Sequence, residues 1–138
     1  MYIPSHFQET DLAEIRLIVE TFPLATCIAM AGDEFEINHI PMLWCGDVLV
    51  GHIAMANAMH RSLVNGTHAA FIFQAENSYI SPNWYPSKQD HHQVVPTWNY
   101  QVVHMHGELH FHHNDKAKLA AVGMLTQHHE DRVNGAEA

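Results

Sequence analysis

Two cysteines in 138 residues, Cys27 and Cys45, are too few for a disulfide framework, and they lack the C-x-x-C spacing of a zinc or redox motif. Both are expected to be reduced, buried thiols. Lysine and arginine together number six against fifteen aspartates and glutamates. The resulting formal charge of -9 leaves no basic footprint for the phosphates of a long nucleic acid, so direct nucleic-acid binding is not expected. No stretch approaches the eighteen apolar residues of a membrane span, and the opening Met1-Tyr2-Ile3-Pro4-Ser5-His6-Phe7 has neither the basic n-region nor the apolar h-region of a signal peptide. A cytoplasmic protein without a membrane partner is expected. Seven glycines and six prolines exclude collagen-like and linker-like sequence, and 47% hydrophobic against 15% charged residues excludes a disordered chain. Residues 1–138 are read as one folded domain, since a chain of this length buries roughly 70% of its unfolded surface without disulfide staples.

Histidine is the abundant residue, fourteen in all, which makes the charge of the chain unusually sensitive to pH between about 5 and 8. The rest of the pattern reads as a series of short elements. Asp11 and Glu14 offer a cap and an acidic first turn, and Leu12, Ile15, Ile18, Val19 and Phe22 recur at helical spacing until Pro23. Leu24 to Ala31 is an apolar strand turning at Gly32-Asp33 into a second from Phe35 to Trp44. Cys45-Gly46-Asp47 turns again into a strand from Val48 to Ile53, and Ala54 to Val64 reads as a short helix ended by Asn65-Gly66. A fourth strand runs from His68 to Gln74, and the polar, proline-punctuated stretch from Glu76 to Val94 reads as a long loop. Val95 to His113 resumes strand character, Asn114 or Asp115 caps a last helix to about Glu130, and the tail beyond is expected to be disordered. Helices interrupting antiparallel hairpins suit an α+β domain built on a small barrel better than alternating βαβ units.

The most specific pattern lies in the last strand, where His104, His106, Glu108, His110 and His112 fall at every second position and Val103, Met105, Gly107, Leu109 and Phe111 fill the alternate ones. Period two places four imidazoles and a carboxylate on one face, and neighbours about 6.5–7 Å apart permit two nitrogens to share a zinc or nickel ion. The same alternation follows from an apolar face in the core and a polar face in water or at a subunit contact, which is the favoured reading. A flat strand supplies at most two convergent nitrogens, so only weak, incidental metal binding is expected there. The pairs His91-His92 and His128-His129 diverge because adjacent side chains do, and His60 and His68 read as lone residues at element ends. There is no H-E-x-x-H, G-x-S-x-G, G-x-G-x-x-G or Walker loop, and no residue is assigned a catalytic role. The aromatic runs Tyr79-Ile80-Ser81-Pro82-Asn83-Trp84-Tyr85-Pro86 and Val95-Pro96-Thr97-Trp98-Asn99-Tyr100 combine flat apolar surface with hydroxyls and amides, which suits either a planar ligand or core packing.

These aromatic runs, together with the opening Met1 to Phe7, the segment Asn38-His39-Ile40-Pro41-Met42-Leu43 and the segment Gly51-His52-Ile53-Ala54-Met55-Ala56-Asn57, resemble in order the PaiB family of FMN-binding split-barrel proteins, often labelled negative transcriptional regulators. The resemblance runs from Met1 to about Glu130. It implies an α+β split β-barrel of the pyridoxamine-phosphate-oxidase-like kind that forms a homodimer with two FMN sites at the interface. It also implies a phosphate held along His52 to Asn57, with His52, Ala54 and Asn57 as candidate contacts, where a strand-to-helix junction suits an anion. The flavin ring is then expected against His39, Ile40 and Pro41, with Trp98 and Asn99 completing the pocket from the partner subunit. Where the family shows Ala-Arg-Ala-Asn-Pro-Gln-Trp this chain has Met55 for the arginine and Ala58-Met59-His60 for the last three residues. That exchange removes a bidentate phosphate partner and makes Arg61 and Lys88 the candidate substitutes. Family members continue beyond this point with a basic segment, which the chain is expected to lack. The implied role is regulatory or redox, with a flavin-free dimeric barrel serving as an interaction module, or a haem-binding split barrel, as the alternatives.

Overall fold

A computed structural model describes residues 1–88 and 94–135. The first helix, α1 (Leu12–Thr21), forms where the spacing predicts it, with the Asp11 side chain accepting a hydrogen bond from the Ala13 amide at 2.8 Å. Strands β1 (Leu24–Ala31), β2 (Glu34–Cys45) and β3 (Val48–Gly51) follow as a meander. Its two tight turns place Gly32 and Gly46 at φ +66 and +56, a left-handed conformation that a side chain would strain. A single helical turn, α2 (Met59–Ser62), leads to β4 (Thr67–Ile80) and β5 (Thr97–Leu109). The last helix, α3 (Asp115–Asn134), begins at an Asn114 side chain that accepts from the Ala117 amide. Short 3-10 turns span Ser5–Phe7 and Pro82–Trp84.

The five strands form one antiparallel sheet in the order β3-β2-β1-β4-β5. Alternation gives it two chemically distinct faces. On the inner face Ala25, Cys27 and Ala29 of β1 meet Ile40 and Met42 of β2 and Ala69, Phe71 and Phe73 of β4, and Val19, Met59 and Leu63 close over them from the helices and the stretch after α2. Val103, Met105 and Leu109 of β5, with Phe111 just beyond it, pack against the same cluster, so the apolar set of the last strand does face the core. Gly51 is required at the end of β3, because a Cβ there would stand 2.5 Å from Met42 Sδ and 3.0 Å from Ile40 Cγ2. The edge strands β3 and β5 are not paired with each other. The curled sheet is therefore a barrel left open along one seam, the α+β small barrel that the strand pattern suggests and the split barrel that the family resemblance implies.

The element boundaries depart from the sequence reading in places with identifiable causes. The helix expected from Ala54 to Val64 shrinks to Met59–Ser62, because the Asn57 amide turns back to the Ala54 carbonyl and the Asn57 side chain caps the Met59 amide, ending any helix upstream. Strand β4 continues through Ile80, well into the stretch expected to be loop. A bulge between Gln74 and Asn77 inserts one extra residue, after which Asn77, Ser78, Tyr79 and Ile80 pair with Tyr100, Asn99, Trp98 and Thr97. Strand β5 stops at Leu109 and not at His113, since the Phe111 amide is taken by the Asn65 side chain at 2.7 Å. Helix α3 outruns Glu130 to Asn134, held by Arg132, which donates to the Glu20 and Thr21 carbonyls at the end of α1. The His91-His92 pair and Ala136 to Ala138 lie outside the described residues.

Candidate functional site

The open seam holds a cavity of about 850 Å3. Its walls come from both edge strands, from the segment after β3 and from α3, so the cavity exists because β3 and β5 fail to meet. Ile40, Met42, Met59, Phe71 and Met105 make the part nearest the core apolar, while Asp47, His52, His60, His113 and Lys118 stand along it, and His106, Glu108, His110 and His112 border it at the open edge of β5 and its continuation. A size within the 300–1,000 Å3 range of small-molecule sites and a mostly apolar wall with a few polar groups fit a ligand with a flat apolar ring and a charged end.

The segment that forms one lip, His52 to Ser62, is tied to β2 by a polar strap. Asn57 Nδ2 donates to Asn38 Oδ1 at 2.7 Å, Asn38 Nδ2 donates to Glu36 Oε1 at 2.8 Å, and the Ser62 hydroxyl donates to Glu36 Oε2 at 3.1 Å. Met59 and Leu63 then drop into the core and pin the lip from below. Asn57 thus spends its side chain on Asn38 and on the Met59 amide. It positions the lip, and the first amide of α2, expected to attract an anion, is already satisfied.

The other sequence-derived candidates separate into groups. Ile40, His52 and Ala54 line the cavity. Arg61 lies beside it, its Nη1 reaching the Met55 carbonyl at 3.5 Å. His39 and Pro41 alternate with Ile40 and so lie on the outer face of β2, where His39 Nδ1 and the Thr26 hydroxyl are 3.1 Å apart. Lys88 Nζ donates to Asn83 Oδ1, and its amide to the Tyr85 carbonyl, in the turn after β4. Trp98 and Asn99 sit on the far half of the β4–β5 hairpin, where the Trp98 ring meets Tyr79 edge-on at 6.0 Å between centroids. Within the single chain the structure brings together only part of the set.

Sequence reasoning took His60 as a lone residue at an element end and gave His113 no role. Their rings lie 5.3 Å apart in an edge-on arrangement at the cavity lip, and His60 Nε2 donates to the Met55 carbonyl at 3.1 Å. Fifty-three positions separate them in the chain, and no local spacing signals their meeting.

The alternating histidine face lies where period two puts it. His104, His106 and Glu108 of β5 are directly opposite Ile72, Ala70 and His68 of β4 on the outer face. Glu108 stands between His68 Nε2 at 3.9 Å and His110 Nε2 at 3.6 Å, all substantially exposed. Among the described residues no group of three or more histidine, cysteine or acidic side chains is arranged to hold a metal ion. Elsewhere, burial together with the neighbouring His128 and Arg132 pushes the His129 imidazole below its usual range, and its Nε2 has no hydrogen-bond partner among the described residues. Burial, assisted by Glu36, pushes the Cys27 thiol up to about 11, which leaves it a protonated core residue instead of a nucleophile. No described helix is long and apolar enough to cross a membrane.

Comparison with known proteins gives this arrangement a context. Residues 1–137 match the family described as "Putative FMN-binding domain". An uncharacterized protein of Saccharomyces cerevisiae is 29% identical over 156 residues, covering 96% of this chain and 92% of that protein. The protease synthase and sporulation protein PAI 2 of Bacillus subtilis is 29% identical over 138 residues, covering 97% of this chain. The chain spans 64% of the length of that Bacillus protein. The family description points to FMN and lends haem no support.

Proposed function

Because the chain belongs to this family of FMN-binding domains, we propose that it binds one FMN per protomer at the seam cavity, as a single-domain, cytoplasmic homodimer. The observation that carries the reading is the cavity itself, whose apolar inner wall suits the flavin ring and whose lip is the His52–Asn57 segment where the resemblance expects the phosphate. When bound, the isoalloxazine supplies the electron and hydride chemistry, and the residues of this chain supply binding and orientation. Ile40, Met42 and Met105 offer the ring apolar contact, the strap through Asn57 and Asn38 holds the lip in place, and basic side chains at the lip meet the phosphate. His39 and Pro41, on the outer face, and the Trp98–Asn99 arm belong in this reading to the contact between protomers, where the arm of one closes the pocket of the other.

Dimerisation is supported by what the outer face leaves uncovered. Phe35 is 70% and Ile37 55% exposed, flanked by Leu24, Met30 and the half-buried Ile28 and Ile72, and the bulge in β4 brings Tyr79 onto one side with Trp98 and Tyr100. Exposed apolar patches of this size mark an interaction surface. The biological role is regulatory or redox. The name of the Bacillus relative, which refers to protease synthesis and sporulation, supports regulation, and the charge of -9 makes indirect regulation through the flavin the better form of it.

Titration of the purified chain with FMN, followed by flavin fluorescence, tests the site. Saturable quenching is expected below about 100 µM, an affinity of roughly -5.5 kcal/mol, and its absence overturns the flavin reading in favour of a flavin-free dimeric barrel. Met55, 59% exposed at the lip, is the observation that favours that second reading. Met55→Arg separates the two: FMN affinity rises about tenfold if a charge-assisted phosphate contact is all that is missing, and stays unchanged if the barrel has no flavin site.

A further inference from the structure

The lip of the seam cavity gathers basic groups in a chain that is otherwise acidic. The Met55 carbonyl accepts from His60 Nε2 and from Arg61 Nη1, His113 stands against the His60 ring, and Lys118 of α3 lines the same cavity. Arg61 stands at this lip and Lys118 on the α3 wall of the same cavity, two of the six lysines and arginines of the chain. A carbonyl oxygen only accepts, so its hydrogen bond fixes one proton on His60 Nε2 and leaves Nδ1 as the nitrogen that gains a second. A doubly protonated His60 is then a charge-assisted donor through Nδ1, next to a second imidazole that can act in the same way.

The surrounding charges set the sign of the pH dependence. The β2–β3 turn contributes Asp47, and the segment after β3 contributes His52 and Arg61. The β5 side contributes His106, Glu108, His110 and His112, and α3 contributes Lys118 with Asp115 3.4 Å from its Nζ. With neutral imidazoles, Arg61 and Lys118 face Asp47, Glu108 and Asp115, and the lip repels an anion slightly. Each imidazole that takes up a proton adds one positive charge beside Arg61, so acidification turns the lip cationic.

We propose that His60 and His113, flanked by Arg61 and Lys118, form a proton-dependent clamp for the phosphate ester of the cavity's ligand, which captures its anion more tightly at pH 6 than at pH 8. The identity of the ligand rests on the flavin reading above, whereas the anion site rests on the geometry of the lip alone.

Sulfate is the direct probe, because it stays dianionic across this range. Titrated into the full chain and followed by the NMR signals of the imidazole rings, it is expected to shift His60 and His113 saturably at pH 6, at least about tenfold more tightly than at pH 8. The pH preference disappears in His113→Gln and in His60→Gln, whose amide keeps the bond to the Met55 carbonyl; circular dichroism verifies that each variant is folded. Equal sulfate affinity at the two pH values, or an unchanged preference in both variants, overturns the clamp. FMN and riboflavin titrations run alongside. The preference for FMN over riboflavin is expected to fall about tenfold between pH 6 and pH 8, although the second phosphate ionisation near 6 works in the opposite direction. Flavin binding without a sulfate response overturns the clamp and leaves the flavin site standing. A sulfate response without flavin binding supports the clamp and overturns the flavin reading, assigning the lip to a different phosphate ester.

Discussion

On the inner face of the sheet Phe73 is wholly buried among Cys27, Ala25 and the helices, whereas on the outer face Phe35, on the neighbouring hairpin, leaves 70% of itself in contact with solvent. Both belong to strands of similar apolar composition. The difference lies in what covers them: α1, α2 and the lip fold over the inner face, and among the described residues no element packs over Phe35 and Ile37. An alternating strand thus separates residues into two sets without saying which set the chain itself will bury. The face that the protomer leaves bare is the one that a second copy has most reason to cover.

The largest effect expected from breaking this contrast is on the inner side. Phe73→Ala leaves a cavity in a close-packed core and lowers stability by about 3–5 kcal/mol, read from the urea midpoint at constant m-value. A pH arm reaches the same face through Cys27. Its thiol ionises near 9 when exposed but only near 11 in the fold, so the unfolded chain loses its proton first. Stability from this group is complete below pH 9 and is lost as pH rises from 9 to 11. Roughly 2–3 kcal/mol should go, and Cys27→Ala should flatten that part of the pH–stability curve.

Outer-face substitutions should behave differently. Phe35→Asp is expected to leave the fold of the protomer intact and to weaken self-association by about 2 kcal/mol, roughly thirtyfold in the dissociation constant, measured by sedimentation equilibrium. A wild-type chain that is monomeric at micromolar concentration contradicts the dimer outright. The smallest effect belongs to the histidine face. Glu108→Gln removes the partner of two exposed imidazoles and should change stability by less than about 0.5 kcal/mol at pH 7, because exposed ion pairs contribute little.

Much of the fold was legible because local chemistry dictates it. The Asp11 and Asn114 caps, the Gly32 and Gly46 turns and the exact span of β1 follow from residues within a few positions of one another. The far half of the β4–β5 hairpin was not legible. Glu76-Asn77-Ser78 has no apolar alternation, and cross-strand pairing of Asn77 with Tyr100 and of Ser78 with Asn99 makes it part of a strand. The expected helix after β3 failed for a related reason: Asn57 finds in Asn38, nineteen positions away, a partner that no helical window contains.

The candidate site divides along the same line. The family resemblance marked the segments that border the cavity, β2 and the stretch from His52 to Asn57, because its motifs are short runs of neighbouring residues. Which side of β2 faces the cavity was decided by curvature and packing, which turn Ile40 inward and His39 and Pro41 out. What the sequence by itself determined was the kind of fold, the two faces of each strand and the shortage of basic residues, all of which depend on composition and short-range periodicity. Only the tertiary structure decided that β3 and β5 leave a seam, that His60, Arg61 and His113 meet at its lip and that Lys118 lines the same cavity. Contacts between residues so far apart in the chain depend on how the sheet curls, and that curl is set by the packing of the whole core instead of any stretch within it.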